Sequence, residues 1–174
     1  KLLLTDPDPA DIDPRDIAHH LSIIPRYCGA SKHRWSVAQH SLLCLSELYR
    51  HYPGFVTEDL HLDLALLLHD AHEYIYHDLT TSLKQLLNTQ SNLYKQLCDQ
   101  FDIKCQERFG FEVTPQAAEI IKTIDLTCLR AEAAVLMSSK GHDWVWPDYI
   151  KTDVEYLSKL IVKEKDEVIE EKFF

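Results

Sequence analysis

Basic residues are scarce in this chain: 18 Lys and Arg stand against 28 Asp and Glu, a net charge of −10. A surface of that sign repels a nucleic-acid backbone, so binding to a nucleic-acid polymer is disfavoured unless the basic groups gather on one face. Glycine is rarer still, with four residues among 174, and there are seven prolines. So few turn-forming residues, beside plentiful Leu, Ala, Glu, Lys and Gln, disfavour a many-stranded fold and favour helix. No apolar run reaches the ~18 to 20 residues needed to span a bilayer. The opening KLLLTDPDPADIDP also lacks the basic, apolar and small-residue order of a secretory signal. A soluble, cytoplasmic protein with no membrane partner is expected. CxxC pairs are absent too: Cys28, Cys44, Cys98, Cys105 and Cys128 make an odd set. Neither a disulfide framework nor a thiolate zinc knuckle is indicated, and the cysteines read as reduced, half-buried packing residues.

Apolar residues make up 45% of the chain, enough for one domain with a sizeable core and too short a chain for two comfortable ones. The expected architecture is an all-α, single-domain helical bundle. An extended lead-in to Pro14 precedes a short helix over 15–21, and IPRYCGASKHR forms a loop. Ser36 caps a helix that ends near residues 51–54. A third helix over 58–76, apolar on most of its circumference, forms the spine. A shorter helix over 83–87 and a long one over 91–109, closed by Gly110, come next. Thr114 and Pro115 open a helix that continues to about Ser139. The last helix is expected over 152–170, with KEKDEVIEEK as a solvated face.

Histidine is plentiful, with ten residues, several of them beside carboxylates. In LLLHDAHE a leucine-rich stretch turns abruptly to His69, Asp70 and Glu73. On a helix advancing ~100° per residue, Glu73, Leu66 and Leu62 fall within ~60° of His69, and Asp70 lies ~100° away. The ionisable groups therefore extend the core-facing stripe. Burying them costs several kcal/mol unless hydrogen-bonded partners or a cation compensate. His40, inside SVAQHSLLC, and Asp125, inside EIIKTIDLTCLRAEA, are likewise embedded in apolar sequence. Each alone fits a satisfied core residue. Together, two imidazoles and two carboxylates form a mixed N/O set suited to Mn, Fe, Co, Ni or Zn, with positions left open for water and a phosphate oxygen.

The stretches IPRYCGASKHRWSVAQHSLLC, LALLLHDAHEYIYHDLTTSLK and IDLTCLRAEA, in that order, resemble the HD-domain phosphohydrolases. The likeness is to the small branch that holds bacterial 5′-deoxynucleotidases and phage dATP triphosphohydrolases. The resemblance implies metal ligation by His40, His69, Asp70 and Asp125, with a divalent transition metal as cofactor and Mg as a candidate second ion. It implies acid–base and water-orienting roles for Glu73 and Asp78, phosphate contacts from Arg26 and Lys84, a small deoxynucleotide as substrate, and a homo-oligomer. Two departures stand out. His77, Asp78, Leu79, Thr80, Thr81 and Ser82 replace the Gly-Asp-Leu-Pro-Thr-Pro common in relatives, and Tyr27 follows Arg26 where Phe or Trp is common. An aromatic there can stack on a nucleobase or block a ribose hydroxyl.

Several neighbours fit either a functional or a plain role. His72 can join a second metal or sit exposed on the helix, His33 and His77 lie in loops near the expected mouth, and Lys32 and Arg34 can add to a phosphate funnel or be solvated. Trp35, Trp144 and Trp146 read as packing residues, the last two pinning the loop after Gly141. The leading function is hydrolysis of a deoxynucleoside 5′-phosphate, mono- or triphosphate. Alternatives are an HD-type hydrolase of guanosine tetraphosphate or a cyclic nucleotide, and a nucleotide-binding protein with a structural cation.

Overall fold

The helices begin where the sequence supplies caps. The Asp13 side chain accepts from Arg15 N ahead of α1 (Pro14–Ile23). Ser36 and Gln39 form a reciprocal capping box at the start of α2 (Val37–His51). In this computed structural model, which describes residues 2–53, 61–162 and 164–173, the chain continues through α3 (Leu62–Leu67), α4 (Glu73–Tyr76) and α5 (Thr81–Gln90). It then forms α6 (Leu93–Phe109), α7 (Pro115–Leu136), α8 (Val154–Ser158) and α9 (Asp166–Phe173). Thr80 caps α5, Thr114 caps α7 with Pro115 in its first turn, and Gly110 closes α6 at φ 72°. The fold is all-α, as the composition indicates. Among the described residues the only bridge outside helices pairs Pro25 with Ser36. It pinches the ends of the loop that carries a short 3-10 turn, Arg26–Gly29.

Two apolar clusters form the core. One joins Ile17 and Leu21 of α1, Ala38 of α2, Phe101 of α6 and Ile169 and Phe173 of α9. The other joins Leu43 and Leu48 of α2, Leu66 of α3, Ile124 and Cys128 of α7 and Leu157 of α8. A seam separates the two. On α2 it falls between Ala38 and Leu43, and after α3 it falls between Leu66 and Leu68. His40 and His69 lie along it.

Three sequence expectations are corrected. The spine helix is not continuous: residues 58–60 lie outside the described set, α3 stops at Leu67, and turns lead to α4. Across this break Ala71 N donates to Leu68 O at 2.9 Å and Glu73 N to Asp70 O at 3.0 Å, a tighter winding than α. The cause is local, because the His69 ring takes the Leu66 carbonyl at 2.7 Å, the acceptor that an α-helix reserves for the backbone N–H of residue 70. The expected last helix is divided into α8 and α9; Ile161, after α8, belongs to one cluster and Ile169 of α9 to the other. Over 164–172 the KEKDEVIEEK face is only part solvated, because Ile169 is buried. The cysteines differ as well: Cys44, Cys98, Cys105 and Cys128 are buried rather than half-buried, and Cys28 is exposed.

Smaller differences are confined to helix ends. α5 is longer than expected, and α7 stops at Leu136, with Lys140 and Gly141 at positive φ beyond it. A Cβ on Gly141 would sit 3.0 Å from Ala133 Cβ, and Trp146 Nε1 donates to Gly141 O at 3.1 Å, so the tryptophan does pin this loop. No helix among the described residues is long and apolar enough to cross a membrane.

Candidate metal centre

The seam collects the four residues singled out for metal ligation. His40, fully buried on α2, has Nε2 3.2 Å from Asp125 Oδ1 of α7 and 3.9 Å from Asp70 Oδ2. His69 Nε2 lies 3.4 Å from the same Asp70 oxygen. Because His69 Nδ1 donates to a carbonyl, its neutral ring carries a lone pair on Nε2. That atom is buried and has no hydrogen-bond partner. With Nδ1 so committed, Nε2 is the atom that His69 can offer to a cation shared with Asp70. The donor set therefore fits a divalent ion, with His40, His69, Asp70 and Asp125 each offering one atom. Asp70 and Asp125 retain 19% and 18% side-chain exposure, and with His69 they form one wall of an open cavity of about 740 Å³.

Electrostatics at the seam follow from this crowding. Burial opposes charge on Asp70, but His69, His40 and Arg26 outweigh it and hold its carboxyl below the ordinary value. Asp125 is held low in the same way: burial raises it, and the hydrogen bond and charge of His40 overcome that. For His40, burial and the Arg26 guanidinium oppose protonation, yet Cys44, Glu132 and Asp125 together raise its pKa well above the usual histidine value. The carboxyl shifts thus reflect the positive groups beside Asp70 and Asp125, and the His40 shift reflects the negative groups beside its ring.

Glu132, on α7, was not singled out from sequence. It is completely buried and organises one side of the centre. Its Oε1 accepts from His40 Nδ1 at 2.7 Å, and its Oε2 accepts from Arg26 Nε at 3.1 Å and from the Tyr27 hydroxyl at 2.6 Å. Burial raises its pKa, but Arg26 and His40 dominate and bring it down to about 2. A carboxylate that takes the second ring nitrogen of a ligating histidine fixes both tautomer and aim. A signal was present, since Glu132 follows Asp125 by seven residues, about two turns, and so shares its helix face.

Arg26 is 7% exposed and also reaches Asp70 Oδ2 through Nη1 at 3.4 Å. Tyr27 and Cys28 adopt φ 58° and 51°, in the left-handed region, and this turn is held by Asp78, whose Oδ2 accepts from Tyr27 N at 2.9 Å. Asp78 is thus tied to the Arg26 loop, and the Tyr27 hydroxyl is committed to Glu132. Glu73 is 1% exposed; Lys84 Nζ of α5 donates to its Oε1 at 3.1 Å, while its Oε2 is buried without a partner. Burial first, then the charges of Asp70 and Asp78, push the Glu73 pKa up to about 7.

His72 is not surface-exposed: its side chain is 13% accessible and its Nδ1 meets Asp102 Oδ1 at 3.1 Å. With Asp70 and Glu73 it forms one compact group of candidate donors, and His40, Cys44 and His69 form another. Cys44, which reads from the sequence as a packing residue, thus stands among the candidate donors. Lys32 and Arg34 are engaged away from the centre, Lys32 with the Val135 carbonyl and Arg34 with Asp166 and Ser22 O.

No family model matches the chain. It is 36% identical over 137 residues to the uncharacterized protein RCAP_rcc00048 of Rhodobacter capsulatus, an alignment covering 76% of this chain and 67% of that protein. It is 34% identical over 134 residues to the uncharacterized protein YfdR of Escherichia coli, covering 77% of this chain and 66% of that protein. The matched region is about two thirds of the length of each relative.

Proposed function

The chain belongs to one family with RCAP_rcc00048 and YfdR, and from that premise and the buried centre we propose that it is a divalent-metal-dependent phosphohydrolase of deoxynucleotides. One observation carries the reading: His40, Asp70 and Asp125 come together from three chain segments, with His40 Nε2 3.2 Å from Asp125 and 3.9 Å from Asp70, beside a buried, unpartnered His69 Nε2 3.4 Å from Asp70. The resemblance to HD-domain phosphohydrolases supports the substrate class. His40, His69, Asp70 and Asp125 would hold the ion, which when bound supplies Lewis acidity toward water and phosphoryl oxygen.

The chain's own residues account for the remaining work. Glu73 Oε2 accepts a proton from the attacking water, and a pKa of about 7 suits it to do so near neutrality. Lys84, bonded to Oε1, fixes the rotation of that carboxylate and is the more accessible of the two cations, at 32% side-chain exposure against 8% for Arg26. Arg26 offers a planar fork on the Asp70 side of the centre, and Glu132 keeps His40 Nε2 aimed inward. Asp78 sets the Arg26–Tyr27 turn through the backbone of Tyr27.

The test is a screen of ribo- and deoxynucleoside mono-, di- and triphosphates with the chelator-treated protein reloaded with Mn, Co, Zn or Mg. Phosphate is measured with and without an added phosphatase. Release of free phosphate from a deoxynucleoside monophosphate, or of tripolyphosphate from a triphosphate, is the expected outcome. A protein that binds the ion stoichiometrically yet turns over no nucleotide sinks the reading.

A further inference from the structure

We propose that Cys44 is an additional ligand of this centre, a thiolate that biases it toward zinc, cobalt or iron over magnesium and manganese. The inference rests on the reading that the centre holds a divalent ion, and it concerns a residue that neither the spacing of the charged groups nor the family resemblance marks. Cys44 follows His40 by one turn of α2 and is completely buried. Its Sγ lies 3.6 Å from His40 Nε2. Ligand bonds of about 2.3 Å to sulfur and about 2.05 Å to nitrogen place two donors 3.6 Å apart at an angle of about 110°. The pair is thus spaced as neighbouring ligands of one ion.

A second, independent observation points into the same space. The His69 side chain is nine-tenths buried, and its Nε2 has no partner. Candidate ligand atoms of His40, Cys44 and His69 all lie within 4.8 Å of one another. Charge is tolerable as well. Two carboxylates and one thiolate around a dication leave a single negative charge, and Arg26 Nη1 stands 3.4 Å from Asp70. On ligation the Sγ–H proton leaves to solvent and the sulfur lone pair binds the ion, with no change of oxidation state. A soft donor among N and O ligands shifts preference toward thiophilic ions.

The simpler alternative is a buried thiol that donates to His40 Nε2 and packs against Cys128. Cobalt spectroscopy separates the two. The chelator-treated protein is loaded with Co²⁺, and bound cobalt is measured by dialysis. With Cys44 as ligand, visible cobalt bands are joined by a near-ultraviolet thiolate charge-transfer band. Cys44→Ser loses the near-ultraviolet band and keeps bound cobalt, whereas Cys128→Ser keeps both. The ratio of zinc to manganese affinity falls about tenfold or more in Cys44→Ser, the scale on which even outer-shell partners act.

Visible bands without the near-ultraviolet band in the unaltered protein, or survival of that band in Cys44→Ser, overturns the proposal and leaves the hydrolase reading standing. Failure to bind cobalt at all overturns the metal centre itself. Should Cys44→Ser fail to fold, zinc-edge X-ray absorption of the unaltered protein decides: a sulfur shell at about 2.3 Å is expected, and a shell of nitrogen and oxygen alone refutes it.

Discussion

His69 Nδ1 donates to the Leu66 carbonyl at 2.7 Å, and this single bond both ends α3 and turns Nε2 into the seam. Removing the ring should therefore cost the ion. His69→Ala is expected to lower bound divalent metal from one equivalent to near zero. Hydrolysis should fall on the order of 10³-fold, since Lewis-acid assistance supplies several kcal/mol. Plasma emission analysis of dialysed protein and initial rates at saturating metal check this, and a variant retaining full metal content refutes the assignment.

Glu73 is the group tuned closest to neutrality. Its raised pKa of about 7 means that a base at this position becomes competent as pH rises through that value, so the rate should climb between about pH 6 and 8 and then level. Glu73→Gln preserves shape but cannot accept the proton. It is expected to lose 10²- to 10⁴-fold in kcat and to flatten the limb, with metal content unchanged. An unaltered pH profile in this variant removes Glu73 from the proton transfer.

Lys84 lowers the Glu73 pKa, against the upward push of burial and of Asp70 and Asp78. Lys84→Met removes that charge, so the rising limb should move alkaline. The rate at pH 7 then falls severalfold and partly recovers above pH 8. A change in KM without a displaced limb would instead mark Lys84 as a phosphate contact only.

His40, His69, Asp70 and Asp125 were legible in the sequence because each interrupts an apolar stretch, where an unpaired ionisable group is costly once buried. The caps at Ser36 and Thr114 were legible for the same kind of local reason. The break after Leu67 was not, since it depends on a side chain outcompeting a backbone donor for one carbonyl. Asp78 could be placed only by resemblance, because its contact is to the backbone of Tyr27 in a left-handed turn that no residue type demands. Cys44 was hidden by chemistry: buried cysteines usually behave as small hydrophobes. Glu132 went unmarked although its register relative to Asp125 puts both on one face of α7.

That unmarked carboxylate carries the clearest stability prediction. Glu132 has an ordinary pKa of 4.5 and a folded value of about 2. Between those limits the native state binds fewer protons than the unfolded one, so stability rises with pH there. The contribution is fully present above about pH 4.5, amounts to on the order of 3 kcal/mol, and is lost as pH falls toward 2. Glu132→Gln in chelated protein should lessen the fall in urea midpoint between pH 5 and pH 3. Glu132→Ala, which strands Arg26 and the Tyr27 hydroxyl, should cost about 3–5 kcal/mol at pH 7. If the alanine variant unfolds at the same urea concentration as the unaltered protein, Glu132 does not hold the Arg26 side of the centre together.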